Sequence, residues 1–475
     1  MLLSELLQDV NVLSQYADRE ITDVTDKTGK VGEGFAFVCV KGARFDGHSA
    51  AAEMLEKGAA AVIVTEDLGL KEQVIVNNTR EAYALMCKNR FGRASDKLNI
   101  IGITGTNGKT TTAFIIKDIL KQLGFQSGLI GTVKNMVGDE SFRAEYTTPD
   151  PYDMHALFKM MVDRGLEYCV METSSQAFHQ MRLAGITFAS GVFTNLTQDH
   201  LDYHGTIEEY KRCKKMLFLN SRKAVVNADD EASAYMTDGI GAPVLQYSLK
   251  NPSDIRASDD EYSQKKVSYT INGEYRVDFH IPGSFSVYNS LAAISAVYSL
   301  GIASFGEITS AAAFAKSVKG RVELLDTDTP YAVIIDYAHT PDGLEKAITA
   351  VRGFTKGRVI TVFGCGGDRD KTKRPKMGRM ATDLSDIAII TTDNPRTEVP
   401  EEIIKDIIIG TVGSKAEVVT VTDRSEAIEY AMSIAKAGDT ILLAGKGHET
   451  YQIIGTEKLH YDEREVVKAV LEKKG

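Results

Sequence analysis

The sequence contains no CxxC pair. Its five cysteines, Cys39, Cys87, Cys169, Cys213 and Cys365, are odd in number and widely spaced, which argues against a zinc ribbon, a redox dithiol or a disulfide framework. A reducing compartment, the cytoplasm, fits best. Cys365 sits in a glycine-rich stretch and is read as a structural thiol rather than a reactive one. No apolar run approaches membrane-spanning length. The opening MLLSELLQDVNVL carries an acid inside its apolar stretch and no basic segment ahead of it, so it reads as an amphipathic helix rather than a signal peptide. Positive charge is not in excess either: 55 basic against 65 acidic residues leave a net −10, so no overall field holds nucleic acid or an anionic membrane. Any phosphate must be gripped locally. Low-complexity linkers and short-period repeats are also lacking.

What is present is an ordinary soluble composition, 43% hydrophobic and 25% charged over 475 residues, enough for about three domains with full cores. Residues 1–97 alternate β-rich runs, FAFVCV at 35–40 and AAVIVT at 60–65, with a helical stretch near 49–58, and predict a small α/β domain that the polar GRASDKL closes. From 98 to 322 the strand NIIGIT, a glycine-rich turn, a helix, and the buried strands EYCVME and ASGVFTNL predict a parallel, doubly wound sheet. Within it, KKVSYTI and YRVDFHI flank Asn272-Gly273, a hairpin signal. From 323 to 475 one unit occurs four times: YAVIID, RVITVF, IAIITT and TILLAG each run into a polar loop, DYAHTPD, GCGGDRDKTKRP, DNPRTEVP and GKGHET. Ligands of open parallel sheets bind beyond the carboxyl ends of the strands, so these loops are expected to build one site in a Rossmann-like domain.

Gly105-Thr106-Asn107-Gly108-Lys109-Thr110, followed by Thr111, stands between a strand and a helix, where main-chain N–H groups and a helix N-terminus cradle phosphates. Lys109 would reach the β- and γ-phosphates and Thr110 a magnesium ion. The loop is a variant of the P-loop pattern, since Ile103 occupies the first glycine position and Gly102 lies one step early. Further on, Thr206-Ile-Glu-Glu209 reads as a capping box. On the helix it starts, Tyr210, Lys214, Leu217 and Phe218 share a face. Lys214 on that face either snorkels to solvent or is desolvated. A desolvated, neutral amine combines with carbon dioxide to give an anionic carbamate. Glu172, at the end of EYCVME, is a candidate metal ligand; His200 and His204 alone are more often structural.

The motifs GTNGKT, TTPD (147–150), METSS (171–175), NLTQDHLDYHG (195–205), GRVE (320–323), DYAHTPDGLE, GGDRDKTKRP, DNPR and GKGHE, spread over essentially the whole chain, resemble those of the Mur ligases. The resemblance is strongest to members that extend a UDP-linked muramoyl dipeptide with a diamino acid. It implies a three-domain α/β fold, a P-loop central domain, and an ATP-dependent, ADP-forming ligase of peptidoglycan precursor synthesis. It also implies that Lys214 is carbamylated and, with Glu172 and His200, organises magnesium. Thr147, Thr148, Ser174, Gln180 and Arg182 would hold the UDP-muramoyl peptide. Asn289, Arg321 and Asp336 would contact adenine and ribose, and Lys373 or Arg374 would approach the phosphates. Arg369, Asp393, Asn394, Pro395, Arg396, Gly445 and Glu449 would read the incoming amino acid. The fork of Arg396 suits a carboxylate and Glu449 an ammonium, a pair that selects meso-diaminopimelate over L-lysine. His339 is a candidate for taking up the amine's proton. The first domain departs from the family pattern: Lys27-Thr28-Gly29 stands where most members carry Asp-Ser-Arg, and Thr28 would keep the hydroxyl contact to the UDP substrate; Asp46-Gly47-His48 follows as expected. Gln176 replaces a common histidine and Ser286 a common asparagine. The chain is expected to work as a monomer, without nucleic acid or membrane. A folylpolyglutamate-type ligase would share the P-loop and lysine but not DNPR with GKGHE, and a nucleotide-driven binding protein would need the P-loop alone.

Overall fold

The structure, a computed structural model, describes every residue except 43, 44, 198, 200, 264, 265 and 475, and not the side chains of 201, 202 and 474. It is α/β throughout and divides into two compact units, residues 1–256 with 291–308, and residues 257–290 with 309–475.

The first unit holds two sheets. The smaller one is fully parallel, its strands Val24–Thr25, Ala36–Val38, Ala61–Val64 and Gln73–Ile75 lying side by side in chain order. One face is covered by Leu3, Leu6, Ile21, Ala82 and Met86. The helix Thr79–Arg90 begins where the Asn78 side chain accepts from the main-chain N–H groups of Arg80 and Glu81, two donors that the first helical turn otherwise leaves unsatisfied. The expected amphipathic helix at the start is a single turn, Leu3–Leu6. It ends early because Asp9 adopts φ +64° and Val12 bridges to Val76 at the sheet, so the leucines are buried by sheet packing rather than by a helix face.

The second sheet runs, in spatial order, Val244–Ser248, Ala224–Asn227, Ser190–Phe193, Asn99–Thr104, Tyr168–Glu172 and Ser127–Ile130, all parallel. Two short strands, Asn135–Val137 and Glu140–Phe142, extend it antiparallel at one edge. Asn99–Thr104 lies between Tyr168–Glu172 and Ser190–Phe193, so the chain order reverses there and a crevice opens beyond its carboxyl end. Gly102 is required by packing: a Cβ on it would lie 2.6 Å from Leu217.

In the second unit the strands Val267–Ile271 and Tyr275–Phe279 form the expected hairpin, with Asn272 and Gly273 both at positive φ, as the tight turn demands. A six-stranded sheet follows, in the order Glu323–Leu324, Ala332–Asp336, Thr440–Ala444, Val359–Phe363, Ile387–Ile390 and Glu417–Thr420. The first strand is antiparallel and the others are parallel. Its two faces are packed by separate apolar clusters, one around Leu344, Met377 and Ile407 and the other around Ile428, Met432 and Val467. Among the described residues, no helix is long and apolar enough to cross a membrane.

Candidate active site

In the first unit, the strand Asn99–Thr104 delivers the chain into the loop 105–108 and the helix Lys109–Gln122. Gly105 has φ +148°, and a Cβ there would fall 1.9 Å from Thr194 Oγ1; Gly108, at φ +82°, is the residue before the helix. Only glycine fits both positions. The loop is stapled to the end of the neighbouring strand: Thr106 N donates to Asn195 O at 2.9 Å, Asn107 N to Asn195 Oδ1 at 3.0 Å, and Thr194 Oγ1 to Asn107 O at 2.6 Å. Lys109 curls back, its Nζ donating to the carbonyls of Gly105 at 2.8 Å and Thr106 at 3.0 Å. Thr110 and Thr111 are buried in the first helical turn.

Glu172 ends its strand wholly buried. Its Oε2 accepts from Thr110 Oγ1 at 2.9 Å and Thr132 Oγ1 at 3.0 Å, and its Oε1 from Thr132 N at 2.9 Å. Glycine at 131 leaves room for this carboxylate, since a Cβ would lie 2.3 Å from Glu172 Oε1. A buried carboxylate beside the first hydroxyl of a P-loop helix is a hard oxygen donor set of the kind magnesium prefers.

The helix Ile207–Leu219 is capped by Thr206, whose hydroxyl accepts from Glu209 N. The return half of the capping box is missing, because the Glu209 carboxylate pairs with Arg212 instead. The buried face contains Tyr210, Lys214, Leu217 and Phe218 as expected, with Cys213 beside them. Lys214 does not snorkel. It is 1% exposed, its Nζ donates to Gly105 O at 2.9 Å, and it lies 4.3 Å from the Tyr210 ring centroid. Burial, and next the charge of Lys109, pull its pKa well below the usual lysine value. His204 Nε2 pairs with Ser175 Oγ at 2.8 Å, an arrangement that fits the structural reading of this histidine. His200 lies outside the described residues.

A cavity of about 330 Å³ is lined by Lys109, Tyr146, Thr147, Thr148, Ser174, Ser175, Gln176, Gln180, Arg182, Tyr210 and Lys214. It thus brings together five residues expected to hold the UDP-muramoyl peptide with the two lysines. Arg182 is pre-set there, its Nη1 donating to Thr148 O at 2.9 Å and its Nε and Nη2 to Gln180 Oε1. A second cavity of about 330 Å³ is lined by Asp23, Val24, Thr25, Lys27, Lys30, Phe35, Tyr83, Asp150, Tyr152 and Asp153. Thr28 is not part of its lining, which takes Lys27 and Lys30 from either end of the short turn Thr28–Lys30. His48 is engaged locally, with Asp46 Oδ1 at 2.7 Å and Thr65 N at 3.0 Å.

In the second unit, the four polar loops leave four adjacent parallel strands at their carboxyl ends. Asp336 anchors the segment 320–323 by accepting from Val322 N at 2.8 Å, and also accepts from Ala338 N at 2.9 Å; burial raises its pKa. The Arg321 guanidinium lies 5.0 Å from the Tyr337 ring centroid, and Asn289 is buried. Asn394 Nδ2 donates to Glu449 Oε2 at 3.0 Å, Asp393 is buried, and a Cβ on Gly445 would come 2.6 Å from Asp393 Oδ2. Pro395 O packs so closely that residue 367 must be glycine. Arg396, at φ +52°, donates from Nη1 to Gly367 O at 2.8 Å. Its main chain is pinned on both sides by the hairpin that follows GKGHE: Arg396 N donates to Ile453 O, and Gly455 N to Arg396 O. Arg369 is exposed and donates to Asp368 O. His339 is exposed too, its Nδ1 donating to Tyr337 O at 2.8 Å.

Arg374 does not approach phosphates as a free cation. It is fully buried and forks onto Glu398 and Asp406, so it fastens its helix to the loop 393–400, while Lys373 reaches His339 O. Reading the sequence missed Lys446, Tyr337 and Gln452, which knit the second-unit loops together. Gln452 Nε2 donates to Asp393 O at 2.7 Å, and the Tyr337 ring packs at a tilt against His339 and His448.

Three family models match: the Mur ligase middle domain over residues 103–297, the Mur ligase glutamate ligase domain over 320–447, and the Mur ligase family catalytic domain over 20–89. The UDP-N-acetylmuramoyl-L-alanyl-D-glutamate–2,6-diaminopimelate ligase of Clostridium perfringens is 46% identical over the full length of both chains. A solved structure of a ligase with the same name has a TM-score of 0.71 and 29% identity, over 96% of this chain and 95% of that one. The MurF ligase of Thermotoga maritima in complex with ADP shares the fold, with a TM-score of 0.60 and 19% identity over 95% and 98% of the two chains.

Proposed function

The chain belongs to the Mur ligase family, and from that premise we propose that it joins meso-diaminopimelate to the D-glutamate carboxylate of UDP-N-acetylmuramoyl-L-alanyl-D-glutamate, cleaving ATP to ADP and phosphate as the amide forms. The observation that carries this reading is the single cavity in which the P-loop Lys109 and buried Lys214 meet Thr147, Thr148, Ser174, Gln180 and Arg182. A carboxylate held there sits beside the nucleotide's phosphate cradle. A carboxylate is a poor acyl donor; phosphorylation by ATP turns it into an acyl phosphate, which the amine then attacks with loss of phosphate.

On the same reading we assign each residue a task. The loop 105–108 and Lys109 bind the phosphates and offset their charge, and Asn289, Arg321 and Asp336 bind the nucleoside. Thr110, Glu172, His200 and Lys214 as its carbamate would hold magnesium, whose charge screens the phosphates when bound. The described members of that set suit the ion: Thr110 and Glu172 offer adjoining oxygens, and Lys214 has the depressed basicity that a carbamate requires. Its neutral amine would add to carbon dioxide, losing a proton and gaining an anionic carboxylate. Thr28 and the cavity beside it would take the UDP end. Arg369, Asp393, Asn394, Pro395, Arg396, Gly445 and Glu449 would read the amino acid. The division of labour we propose is 1–97 for the UDP substrate, 98–322 for ATP and 323–475 for the amino acid, in a cytoplasmic monomer.

The test is phosphate release from ATP with UDP-N-acetylmuramoyl-L-alanyl-D-glutamate, with diaminopimelate or lysine as acceptor and the product weighed by mass spectrometry. Amide product with diaminopimelate is expected. ATP hydrolysis without it would overturn the ligase reading, and equal turnover with lysine would overturn the selectivity.

A further inference from the structure

Lys446 leaves the strand Thr440–Ala444 one residue after Gly445 and is wholly buried. Its Nζ donates to Asn394 Oδ1 at 3.1 Å and to Glu449 Oε2 at 3.2 Å. The same carboxylate oxygen accepts from Asn394 Nδ2 at 3.0 Å, and Tyr451 OH donates to Glu449 Oε1 at 3.3 Å. Asn394 Oδ1 also accepts from Ile453 N at 2.9 Å. The rings of Tyr451 and Tyr461 lie 5.8 Å and 6.0 Å from the ammonium. A cation held this way fixes the rotamers of both Asn394 and Glu449 and places a positive charge beside the acid.

On the reading proposed above, Glu449 faces the amino acid's distal ammonium and Arg396 its carboxylate. We infer that Lys446 is a positioning and specificity-determining residue: by pairing with Glu449 it leaves the pocket without the surplus negative charge that would favour a cationic amino acid over a net-neutral diamino dicarboxylate. The charge count gives the reason. Glu449, partly exposed, has its charge offset by the wholly buried Lys446, whose Nζ lies 3.2 Å from Oε2. Diaminopimelate, with two ammonium and two carboxylate groups, adds no net charge; lysine adds one positive charge. Removing the Lys446 ammonium makes the pocket one unit more negative and removes the repulsion that lysine's uncompensated charge meets.

The experiment measures kcat and KM for diaminopimelate and lysine in the wild type and in Lys446→Met, Glu449→Gln, the double variant and Lys446→Arg. Lys446→Met is expected to lower the ratio of kcat/KM for diaminopimelate over lysine by about tenfold or more, since juxtaposed like charges are costly, with KM for ATP unchanged. In the Glu449→Gln background the same substitution is expected to change the ratio less than about twofold, because coupled residues are not additive. Lys446→Arg, which keeps the charge, is expected to hold the ratio within about threefold. An unchanged ratio in Lys446→Met, an equal fall in the Glu449→Gln background, or a fall in Lys446→Arg as large as in Lys446→Met overturns the inference. A wild-type chain that makes no amide overturns the ligase reading instead, and this inference with it. If Lys446→Met fails to fold, Lys446→Gln replaces it, judged by the same ratio.

Discussion

Lys214 Nζ donates to the main-chain carbonyl of Gly105 over 2.9 Å, joining a helix residue to the first glycine of the phosphate loop across 109 positions of sequence. A carbonyl is a poor counter-ion, and burial holds the pKa of this amine well below the usual 10.5. Between that lowered value and 10.5 the folded chain binds fewer protons than the unfolded one, so this group's contribution makes stability rise with pH through the window. In buffer free of carbon dioxide, where the amine is unmodified, Lys214→Met is therefore expected to melt no lower than wild type at pH 7, with the difference shrinking as pH approaches 10.5. Its kcat is expected to fall by about 10³, as for loss of a preorganised electrostatic group. Thermal melts at several pH values check the first part. Phosphate-release kinetics check the second, and intact mass in bicarbonate buffer checks the carbamate behind it, since wild type should gain one carbon dioxide and the variant none.

Glu172 and Thr110 form the oxygen pair at the start of the P-loop helix. Glu172→Gln keeps the shape and removes the charge, and Thr110→Val removes the hydroxyl. Each should raise the magnesium concentration needed for half-maximal rate, and Glu172→Gln should lower kcat about a hundredfold. A magnesium titration of phosphate release that matches wild type in both variants would exclude the pair from the metal site.

The strand ends of the last sheet were readable because each Val/Ile-rich run stops at a polar or glycine residue, and the P-loop because GKT between strand and helix has few other uses. Local spacing could also place Lys214 on an apolar face, though only packing decides whether the amine escapes to solvent. Long-range partners were not readable. Arg374 looked like part of a basic phosphate-binding run; its burial depends on Glu398 and Asp406, 24 and 32 residues away. Lys446, a lone lysine between glycines, gives no sign of Asn394, 52 residues earlier. Two edge strands of three residues each, Asn135–Val137 and Glu140–Phe142, are too short to show an alternation.

All five cysteines are free and buried. Burial pushes Cys39 and Cys365 up to about 12 and Cys213 to about 11. At pH 8 a thiol of pKa about 11 is a thiolate only about one part in 10³, and the thiolate is the nucleophile. The native chain should therefore resist a thiol-specific disulfide reagent at pH 8 for hours and release five equivalents once denatured. Fast native labelling of Cys365 would overturn the reading of that thiol as structural.

Arg396 is held by its main chain to Ile453 and Gly455, so a side-chain change there should leave the loop in place. Arg396→Lys swaps a planar fork for a point charge. The expected result is a 30- to 100-fold fall in kcat/KM for diaminopimelate, roughly what losing a charge-assisted contact worth about 2–3 kcal/mol implies. Lysine turnover should change far less, and equal falls for both amino acids would exclude a carboxylate clamp.

Arg374 provides the last test, because it separates architecture from catalysis. Its guanidinium donates to Glu398 at 2.8 Å and 3.0 Å and to Asp406 at 2.8 Å, and it holds the Glu398 carboxyl down at about 2, against a usual 4.5. A carboxylate whose pKa is lowered by folding adds stability that is complete above about pH 4.5 and disappears as pH falls through about 2. Arg374→Met leaves two partly solvated acids without their cation and should cost about 1–2 kcal/mol at pH 7, less than a fully buried pair because water screens both carboxylates. The gap from wild type should narrow steadily in acid, and the KM for ATP should not move. Denaturant melts from pH 7 down to pH 3, with ATP kinetics at pH 7, decide the matter. A raised KM for ATP with stability intact would return Arg374 to the phosphates.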